Sequence, residues 1–465
     1  MNAGLWYNGG MNPLIFREYD VRGVADLDLT DTVVRDIGNA LGTMYAERGK
    51  RKIVVGRDCR VSSKRIRDVL VAALEETGRH VITCEVGPTP LLYFAVHHLD
   101  ADGGVMVTGS HNPPQDNGLK ILVGKDSMYG DQIRSLGERA ARGERTRGAG
   151  GNIGAVRVSD AYIAFMRGNV RFARTDIKVV LDAGNGAGGP LALAVMRALG
   201  LNPDPMFCDM DGRFPNHHPD PTQPENLAAL LQRMREIGAD VGIAYDGDAD
   251  RIGVVDAMGE VIWGDKLLAA FARGVLARRP GAAILGEVKC SQTLFDDIAL
   301  HGGRPIMWKT GHSLIKAKMK EEGALLAGEM SGHMFFADRY YGYDDAIYAS
   351  LRLLELLADR GLTIGALLAD LPKTFTTPEL RMACPDELKF SVVKRVLEHY
   401  RGSHDVVDID GARVSFGDGW GLVRASNTQP VLVLRFEAQS PERRDEIRGE
   451  MEHVVSHATA AASAQ

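Results

Sequence analysis

The sequence predicts an α/β protein with three similar α/β domains, whose sheets are mixed and mostly parallel, and a C-terminal α+β domain, arranged around a central cleft. Short apolar, β-branched runs alternate with segments of helical period along most of the chain. The order of these runs and of the polar loops behind them recurs three times, and the pattern changes near residue 371. A chain of 465 residues is also too long for one ordinary core.

The first unit contains three apolar runs, each of which ends in a polar loop. These runs are KIVVGRD (52–58), HVITCEVGPTP (80–90) and GVMVTGSHN (104–112). Residues 62–78 place apolar side chains at the i, i+3, i+4 spacing of an amphipathic helix, which Ser62 or Ser63 can cap and Gly78 can end. This alternation predicts parallel strands joined by helices.

The second and third units repeat this order. Their runs are IKVVLDAGNG (177–186), PMFCDMDGRFP (205–215) and VGIAYDGDADR (241–251), then AAILGEVKC (282–290), PIMWKTGHS (305–313) and ALLAGEMSGH (324–333). Residues 226–238 show a second amphipathic helix pattern that ends at Gly238. In open α/β sheets, ligands bind beyond the carboxyl ends of the strands, so units that face one another would bring their loops into one cleft.

The last quarter of the chain predicts an antiparallel sheet with helices on one face. An Asp410-Gly411 hairpin signal lies between alternating strands, two more strands follow within 419–438, and a charged helix ends the chain. The basic, Gly-rich stretch 145–155 is the best candidate boundary between the first two units. The predicted domains are 1–154, 155–256, 257–370 and 371–465.

Composition excludes several classes of protein. A net charge of -6 gives no reason to expect a nucleic-acid partner. The five cysteines are dispersed without a Cys-x-x-Cys pair, as expected of buried thiols in a reducing cytosol rather than of disulfides or a zinc site. Neither a signal-like N-terminus nor an apolar run of about 18 residues occurs, so we expect a cytoplasmic protein with no membrane partner.

The loop TGSHNPPQDNGLK (108–120) places Ser110 between a glycine and a histidine behind an apolar strand. An acyl-transfer nucleophile would need G-x-S-x-G, but Thr108 and Asn112 occupy the glycine positions. Backbone N–H groups, an exposed hydroxyl and the following Lys120 suit a phosphate carried on the serine instead. On this chemistry alone an ordinary Asn-Pro turn explains the loop equally well.

The loop DGDADR (246–251) is the strongest local signal. Asp246, Asp248 and Asp250 follow an apolar strand at alternate positions and can converge on one hard divalent cation, since oxygen ligands suit magnesium or calcium. An EF-hand would need glycine at Arg251, so that class is excluded. A solvated acidic turn is the alternative. A cation between these carboxylates and a phosphoserine would offset their mutual repulsion.

Two further loops suit a phosphorylated sugar. In GEMSGH (328–333), Glu329 and Ser331 would point the same way on an extended loop and could bind neighbouring sugar hydroxyls. In RASNTQP (424–430), the guanidinium of Arg424 and three side-chain donors fit a phosphate clamp; the donors are Ser426, Asn427 and Thr428. Taken singly, a helix-capping loop and a polar β-turn explain these segments as well.

Two other enzyme classes fit part of the chain. The G-x-G-x-x-G of residues 184–189 follows a predicted strand, and Asp209 follows about 20 residues later, as in an NAD-dependent dehydrogenase. That interpretation leaves the other three loops unexplained. A haloacid-type phosphatase would use Asp246 as nucleophile and Asp248 as acid, but Asp250 stands where such enzymes usually have threonine or valine.

Together these motifs resemble the α-D-phosphohexomutase superfamily, and within it most the bacterial phosphomannomutase/phosphoglucomutase group. TGSHNP, DGDADR, GEMSGH and RASNTQP occur in the family's order, and FREYDVRG (16–23), NHHPDP (216–221) and KTGHS (309–313) also match. Glucosamine-phosphate mutases, which typically have GEQSGH, are the nearest rival. One departure is Ala249, where many members have glycine; a positive φ there would cost about 1 kcal/mol.

The resemblance implies a role for each matched residue. Magnesium would be held by the phosphorylated Ser110 together with Asp246, Asp248 and Asp250. The 3- and 4-hydroxyls of the sugar would be bound by Glu329 and Ser331, and the non-reacting phosphate by Arg424, Ser426, Asn427 and Thr428. The remaining reaction-centre and substrate-binding residues would be Tyr19, Arg22, Lys120, Arg251, Lys289, His312 and His333. Proton transfer would fall to Arg22, Lys120 or His333.

The activity that the resemblance implies is the interconversion of hexose 1-phosphates and hexose 6-phosphates. It would proceed through the phosphoserine enzyme, with magnesium as cofactor and glucose 1,6-bisphosphate as activator and intermediate. Glucose and mannose differ at carbon 2, so binding through the 3- and 4-hydroxyls would accept both. The expected partners are small hexose phosphates, and the expected assembly is a monomer or a small homo-oligomer.

Overall fold

The computed structural model describes residues 10–426 and 429–463 of the chain. It contains four sheets, one for each predicted unit, and the first three carry helices between their parallel strands. The predicted fold class is therefore confirmed. Across the described residues, none of the helices is both long and apolar enough to span a membrane.

The first sheet has seven strands in the order β1-β5-β4-β2-β3-β7, with β6 beside β5. Strands β4, β2, β3 and β7 are parallel, whereas β5 runs antiparallel to both of its main neighbours, β1 and β4. The strands are β1 Val21–Val24, β2 Lys52–Arg57, β3 His80–Val86, β4 Gly103–Val107, β5 Asp116–Val123, β6 Asp126–Ser127 and β7 Asn152–Val156. The helices are α1 Asp31–Glu47, α2 Ser63–Glu76, α3 Thr89–His98 and α4 Asp131–Ala141.

The second and third sheets have the orders β12-β11-β10-β8-β9 and β14-β13-β15-β16. The second unit comprises α5 Ser159–Asn169, β8 Val179–Asp182, α6 Gly189–Ala198, β9 Asp204–Met206, α7 Ala228–Ile237, β10 Val241–Tyr245, β11 Ile252–Asp256 and β12 Val261–Ile262. The third comprises α8 Gly264–Leu276, β13 Ala283–Glu287, α9 Gln292–Leu300, β14 Arg304–Trp308, α10 His312–Glu322, β15 Leu326–Gly328, β16 Met334–Phe336, α11 Ala346–Arg360 and α12 Ile364–Leu367.

The fourth sheet is antiparallel and has the order β17-β22-β21-β20-β19, with β18 also beside β22. Its elements are β17 Phe375–Thr376, β18 Leu380–Ala383, α13 Asp386–Tyr400, β19 Val406–Val407, β20 Ala412–Ser415, β21 Gly419–Ala425, β22 Val431–Ala438 and α14 Pro441–Ser463. The predicted hairpin at Asp410-Gly411 lies between β19 and β20, and Gly411 has the positive φ of 100° that this turn needs.

In each of the first three units, the polar loop connects a parallel strand to the antiparallel strand that follows it. The loops 108–115, 246–251 and 329–333 each leave a parallel strand and return as the next, antiparallel strand. These loops therefore lie at the carboxyl ends of β4, β10 and β15, where a ligand site is expected. In the fourth unit, Arg424 lies near the end of β21, and the next strand, β22, begins at Val431.

The amphipathic patterns form the predicted helices because their apolar faces pack on the sheets. α2 occupies most of the predicted span 62–78, and α7 ends at Gly238, which has a left-handed φ of 60°. Ser62 precedes α2, but its side chain makes no capping hydrogen bond. The largest apolar cluster runs from α3 through the second sheet to α11, so one continuous core joins the first three units.

Two predicted domain boundaries divide the sheets: one falls inside a strand and the other falls between two strands that pair. The Gly-rich stretch 145–155 ends in β7, which pairs with β3, so the boundary between 154 and 155 divides a strand of the first sheet. Glycine is needed there because a Cβ at Gly148 or Gly151 would lie 2.4 Å or 2.3 Å from carbonyl oxygens at the end of α2. The boundary between 256 and 257 likewise separates β11 from β12, which pair with each other.

Candidate active site

Ser110 lies at the start of the loop that joins β4 to β5 and is 3% exposed. Its φ is 49°, a left-handed conformation that is costly for a residue with a side chain. The sequence analysis expected an exposed hydroxyl, and that expectation is wrong for this structure. The second unit covers the serine: a Cβ on Gly247 would lie only 2.4 Å from the Ser110 carbonyl oxygen.

The serine hydroxyl contacts the acidic loop directly. Ser110 Oγ donates a hydrogen bond of 2.8 Å to Asp246 Oδ2 and lies 3.1 Å from His111 Nδ1. Asp246, Asp248 and Asp250 are fully buried, and one carboxylate oxygen from each lies within 4.8 Å of the others. Two residues that are 136 positions apart in the chain therefore meet at one point.

The turn that carries these aspartates has a left-handed residue at its centre. Ala249 has a φ of 54° and donates its N–H to the carbonyl oxygen of Asp246 at 3.0 Å. This conformation lets the three carboxylates converge, and it is the positive φ that the sequence analysis identified as the cost of alanine at this position.

Lys120 neutralises part of the acidic cluster from the neighbouring strand β5. Its Nζ lies 2.7 Å from Asp248 Oδ2 and also contacts Asp250. Burial lowers the pKa of Lys120, but Asp248 and Asp250 outweigh burial and hold it well above its usual range. Burial and the other two carboxylates raise the pKa of Asp246, whereas Lys120 keeps that of Asp248 low despite its burial. Lys120 is therefore a cation in this arrangement.

Arg251 and His333 join the acidic loop to the third unit. Arg251 Nε donates to His333 Nε2 at 2.9 Å, and the two residues also form an isolated β-bridge. His312 begins α10 and stacks on His333, with ring centroids 5.5 Å apart. Burial and then Lys316 lower the pKa of His312 well below its usual range, so its ring is neutral.

Tyr19 and Arg22 reach the site from the N-terminal end of the first unit. Arg22 is buried, forms an ion pair with Asp20 and donates to the carbonyl oxygen of Gly109, next to the serine. Tyr19 donates to the carbonyl oxygen of Thr310 at 2.8 Å and so contacts the third unit.

Glu329 and Ser331 lie in a tight turn, because Gly332 donates its N–H to the Glu329 carbonyl oxygen at 3.0 Å. The predicted extended loop is therefore wrong, and alternation along a strand cannot be what aligns these two side chains. Glu329 is buried, and its Oε1 accepts a hydrogen bond of 2.6 Å from the N–H of Gly311. Ser331 is half-buried and makes no hydrogen bond to the other predicted residues in the described part of the chain.

Lys289 and Arg424 form a second charged group where the third and fourth units meet. Lys289 Nζ lies 3.2 Å from Glu379 Oε2 and 3.6 Å from Glu287 Oε1. Arg424 forms an ion pair of 3.0 Å with Asp410. Ser426 is buried at the end of β21. The predicted residues Asn427 and Thr428 lie outside the described residues.

Sequence reasoning missed two residues, one that shapes the serine loop and one that contacts the acidic loop. Arg60 is 1% exposed, and its guanidinium donates to four loop carbonyls: those of Ser110, Asn112, Pro113 and Asp116. Thr89, at the first position of α3, donates its backbone N–H to the Asp248 carbonyl oxygen at 2.9 Å. The run Asp58-Cys59-Arg60 directly behind β2 is a signal that could have drawn attention to Arg60, since a charged residue there borders the same strand ends.

The glycines of the dehydrogenase-like motif have a packing role. A Cβ on Gly186 would lie 2.7 Å from the Gly247 carbonyl oxygen, and one on Gly189 would lie 2.3 Å from that of Cys208. Gly186 allows the first loop of the second unit to approach the acidic loop closely, and Gly189 allows the start of α6 to approach the segment behind β9. Their presence therefore needs no dinucleotide to explain it.

The arrangement is suited to phosphoryl transfer, because a serine hydroxyl lies against converging carboxylates with buried cations around them. Family models for phosphoglucomutase/phosphomannomutase match in chain order: alpha/beta/alpha domain I at residues 13–145, domain II at 160–259, domain III at 263–375 and the C-terminal domain at 379–454. The chain belongs to the phosphoglucomutase/phosphomannomutase family, as its motifs predicted.

Relatives with assigned names extend over nearly the whole chain. The phosphomannomutase/phosphoglucomutase of Pseudomonas putida is 46% identical over 427 residues, which make up 92% of each protein. The crystal structure of a family protein from Burkholderia thailandensis is 42% identical and covers 96% of this chain and 98% of its own, with a TM-score of 0.90. The N-acetylphosphoglucosamine mutase of Aspergillus fumigatus, in complex with GlcNAc-6P and magnesium, shares the fold at 16% identity, with a TM-score of 0.63 over 94% of each chain.

Proposed function

We propose that this protein interconverts the 1-phosphates and 6-phosphates of glucose and mannose, with Ser110 as the phosphoryl carrier and a 1,6-bisphosphate as intermediate. The observation that carries this proposal is the 2.8 Å hydrogen bond from Ser110 Oγ to Asp246 Oδ2. This hydrogen bond places the hydroxyl of Ser110, in the TGSHNP loop of the first unit, against the acidic trio of the second unit. Membership of the family and the names of the relatives support the reaction type.

The acidic trio fits a magnesium ion. The three carboxylates are buried, and Asp248 Oδ1 and Asp250 Oδ1 have no hydrogen-bond partner among the described residues, although Lys120 contacts the other oxygen of each. Oxygen atoms left free in this way are what a hard divalent cation requires. We infer that Asp246, Asp248, Asp250 and the phosphorylated Ser110 hold the ion. When bound, it would neutralise charge on the phosphoryl group.

The chain's own cations would position and neutralise the transferring group. In the proposed step, the bond from Ser110 Oγ to phosphorus breaks as a bond forms from phosphorus to the hydroxyl oxygen at carbon 6, and that hydroxyl loses its proton to the protein. Lys120 and Arg251 lie beside the serine and supply positive charge. Arg22, Lys120 and His333 remain the candidates for proton transfer.

The intermediate must turn around so that its other phosphate can return to the serine. We infer that Glu329 and Ser331 bind the 3- and 4-hydroxyls, which a half-turn roughly exchanges, and that Arg424, Ser426, Asn427 and Thr428 bind the non-reacting phosphate. Tyr19, Lys289 and His312 would complete the substrate site. Burial of Glu329 beside Gly311 and of Arg424 beside Asp410 supports preformed contacts.

We propose units that end after Val156, after Ile262 and at residue 370, since these divisions keep β7 and β12 with their sheets. The acidic balance of the chain favours small hexose phosphates over nucleic acid as partners. A cytoplasmic location and a monomer or small homo-oligomer remain our inference from the sequence.

The test of the function is Ser110→Ala in a coupled assay that follows glucose 6-phosphate formed from glucose 1-phosphate, with magnesium and a trace of glucose 1,6-bisphosphate. We expect the variant to lose nearly all turnover while it still binds sugar phosphate, because only the carrier hydroxyl is removed. Intact-mass measurement should show one added phosphate on the wild type and none on the variant.

Full turnover by Ser110→Ala, or a wild type that never gains a phosphate, would overturn the assignment. Mannose 1-phosphate and glucosamine 1-phosphate in the same assay distinguish the proposed activity from that of the glucosamine-phosphate mutases.

A further inference from the structure

Asp344 is a buried carboxylate on which three side chains around the site converge. Its Oδ2 lies 3.0 Å from His333 Nδ1 and 3.6 Å from His312 Nδ1, and its Oδ1 lies 3.0 Å from Lys316 Nζ. The Asp344 side chain has no exposed surface. Neither the motifs nor the mechanism proposed above uses this residue.

His333 lies between Asp344 and Arg251, and the hydrogen bond from Arg251 determines its tautomer. Arg251 Nε donates to His333 Nε2 at 2.9 Å. A guanidinium can only donate, so Nε2 holds a lone pair and the proton of the ring is on Nδ1. Nδ1 lies 3.0 Å from Asp344 Oδ2, a close approach that falls short of hydrogen-bond geometry, since neither atom has a hydrogen-bond partner among the described residues. A lone pair on Nδ1 would be repelled by the carboxylate oxygen at this distance, so both neighbours favour the Nδ1–H tautomer.

Further contacts connect Asp344 and His333 to the serine loop. Arg251 Nη1 lies 3.5 Å from His111 Nε2, and His111 Nδ1 lies 3.1 Å from Ser110 Oγ. Contacts therefore run without a break from Asp344 through His333 and Arg251 to the residue beside the carrier serine. An error in the orientation of His333 would change the direction of the Arg251 guanidinium next to Ser110.

The charges around Asp344 are already balanced. Burial would raise the pKa of Asp344, but the Lys316 ammonium and then the adjacent His333 ring outweigh burial and hold it well below its usual range, so Asp344 is an anion. Asp250, His333 and Asp344 are close enough together to ligate a cation. Lys316 neutralises Asp344, however, and Asp250 already belongs to the acidic trio proposed to hold magnesium, so we assign Asp344 to positioning rather than to a second metal ion.

We propose that Asp344 is a positioning residue: it holds His333 in the Nδ1–H tautomer, and through His333 it aims the guanidinium of Arg251 at the phosphoryl group on Ser110. This inference rests on the proposed function for its effect on turnover, but its effect on the histidine is independent of that function. The chemistry needs a charged acceptor at this position, because an amide could donate to Nδ1 and favour the opposite tautomer.

The test compares Asp344→Asn with Asp345→Asn. Asp345 is the adjacent residue, is equally buried and undergoes the same isosteric change, but its carboxylate accepts from the hydroxyls of Tyr162 and Tyr340 instead of contacting an imidazole. We expect Asp344→Asn to lower kcat about 10²-fold with KM changed less than about threefold, since misaligned catalytic groups cost this much. Asp345→Asn should keep kcat within about threefold of wild type.

A second measurement reads the tautomer directly. In the ¹⁵N spectrum of the full-length wild type, the His333 ring should show a protonated Nδ1, and in Asp344→Asn a protonated Nε2. A wild-type ring protonated on Nε2 overturns the proposal, and so does wild-type kcat in Asp344→Asn or an equal loss in both variants. If the wild type shows no mutase activity, the proposed function fails, but the spectrum still decides the role of Asp344. The wild-type spectrum also decides it if Asp344→Asn does not fold.

Discussion

Ala249 shows how one backbone angle serves the candidate site. Its left-handed φ of 54° turns the chain between Asp248 and Asp250, and the residue is fully buried. The conflict can be predicted from the sequence, because many members of the family have glycine at this position, but the sign of φ is known only from the structure. The same limit applied to Asp344, whose partners lie in other segments and leave no local pattern.

Ala249→Gly is expected to change the free energy of unfolding by less than about 1 kcal/mol. Relief of the left-handed strain returns about 1–2 kcal/mol. Loss of the buried methyl group costs about 0.8 kcal/mol, and the greater freedom of glycine in the unfolded chain costs about 0.5–1 kcal/mol. These contributions nearly cancel.

Ala244→Gly is the matched control, because Ala244 is buried in β10 and has no positive φ. That substitution should cost about 1.5 kcal/mol, since it removes a methyl group without relieving strain. Urea unfolding of both variants measures the difference. Equal destabilisation of the two would show that Ala249 stores no strain.

At the scale of helices and strands, the periodic patterns predicted the elements that local sequence determines. They missed the elements that form only through contacts with distant parts of the chain. The pattern of residues 62–78 predicted α2 because apolar residues recur there at the spacing of one helix face. The stretch 145–155 was predicted as a domain boundary because it is basic and Gly-rich, but its end belongs to β7, a largely exposed strand that forms through pairing with β3. The turn at Glu329 was missed for a similar reason, since Gly332 determines it through a left-handed φ of 91°.

The serine loop is supported by an ion pair in the turn that follows β2. Arg60 and Asp58 are fully buried, their charged atoms lie 3.3 Å apart, and Arg60 also binds the carbonyl oxygens of the loop. Breaking such a pair leaves a buried charge without a partner, which typically costs about 3–5 kcal/mol. We therefore expect Arg60→Met to lower the free energy of unfolding by about that amount.

Arg57→Met is the control for this prediction, because Arg57 lies three residues earlier, is half-buried and donates to a single carbonyl oxygen, that of Asp58. Its loss should cost about 1 kcal/mol. Thermal and urea unfolding of both variants supply the comparison. A cost for Arg60→Met as small as that for Arg57→Met would contradict a structural role for the buried pair.

For the whole molecule, the sequence predicted the repeated units and the loops that face the cleft, but not how closely the units pack. Three copies of one loop order implied that the polar loops share one edge, and each does lie at the carboxyl end of a parallel strand. No pattern in the chain could indicate that Ser110 would be covered by the Gly247 turn or that Tyr19 would reach Thr310, because both contacts join separate units. Such contacts depend on the shapes of folded surfaces.

The contact between the first and third units should weaken in acid. His97 on α3 stacks on Tyr341, with ring centroids 4.3 Å apart, and burial followed by the charge of Lys125 lowers the pKa of His97 from 6.5 to about 4. The unfolded chain therefore takes up this proton first, so the stability that the neutral ring contributes is complete above about pH 6.5 and is lost as pH falls towards 4. His97→Phe keeps the stacked ring without the titration, so its melting temperature should fall less than that of wild type between pH 7 and pH 4.5. His98→Phe, which changes the adjacent exposed histidine, is the matched control. If the melting temperature falls equally with pH in the wild type and both variants, His97 does not couple this contact to pH.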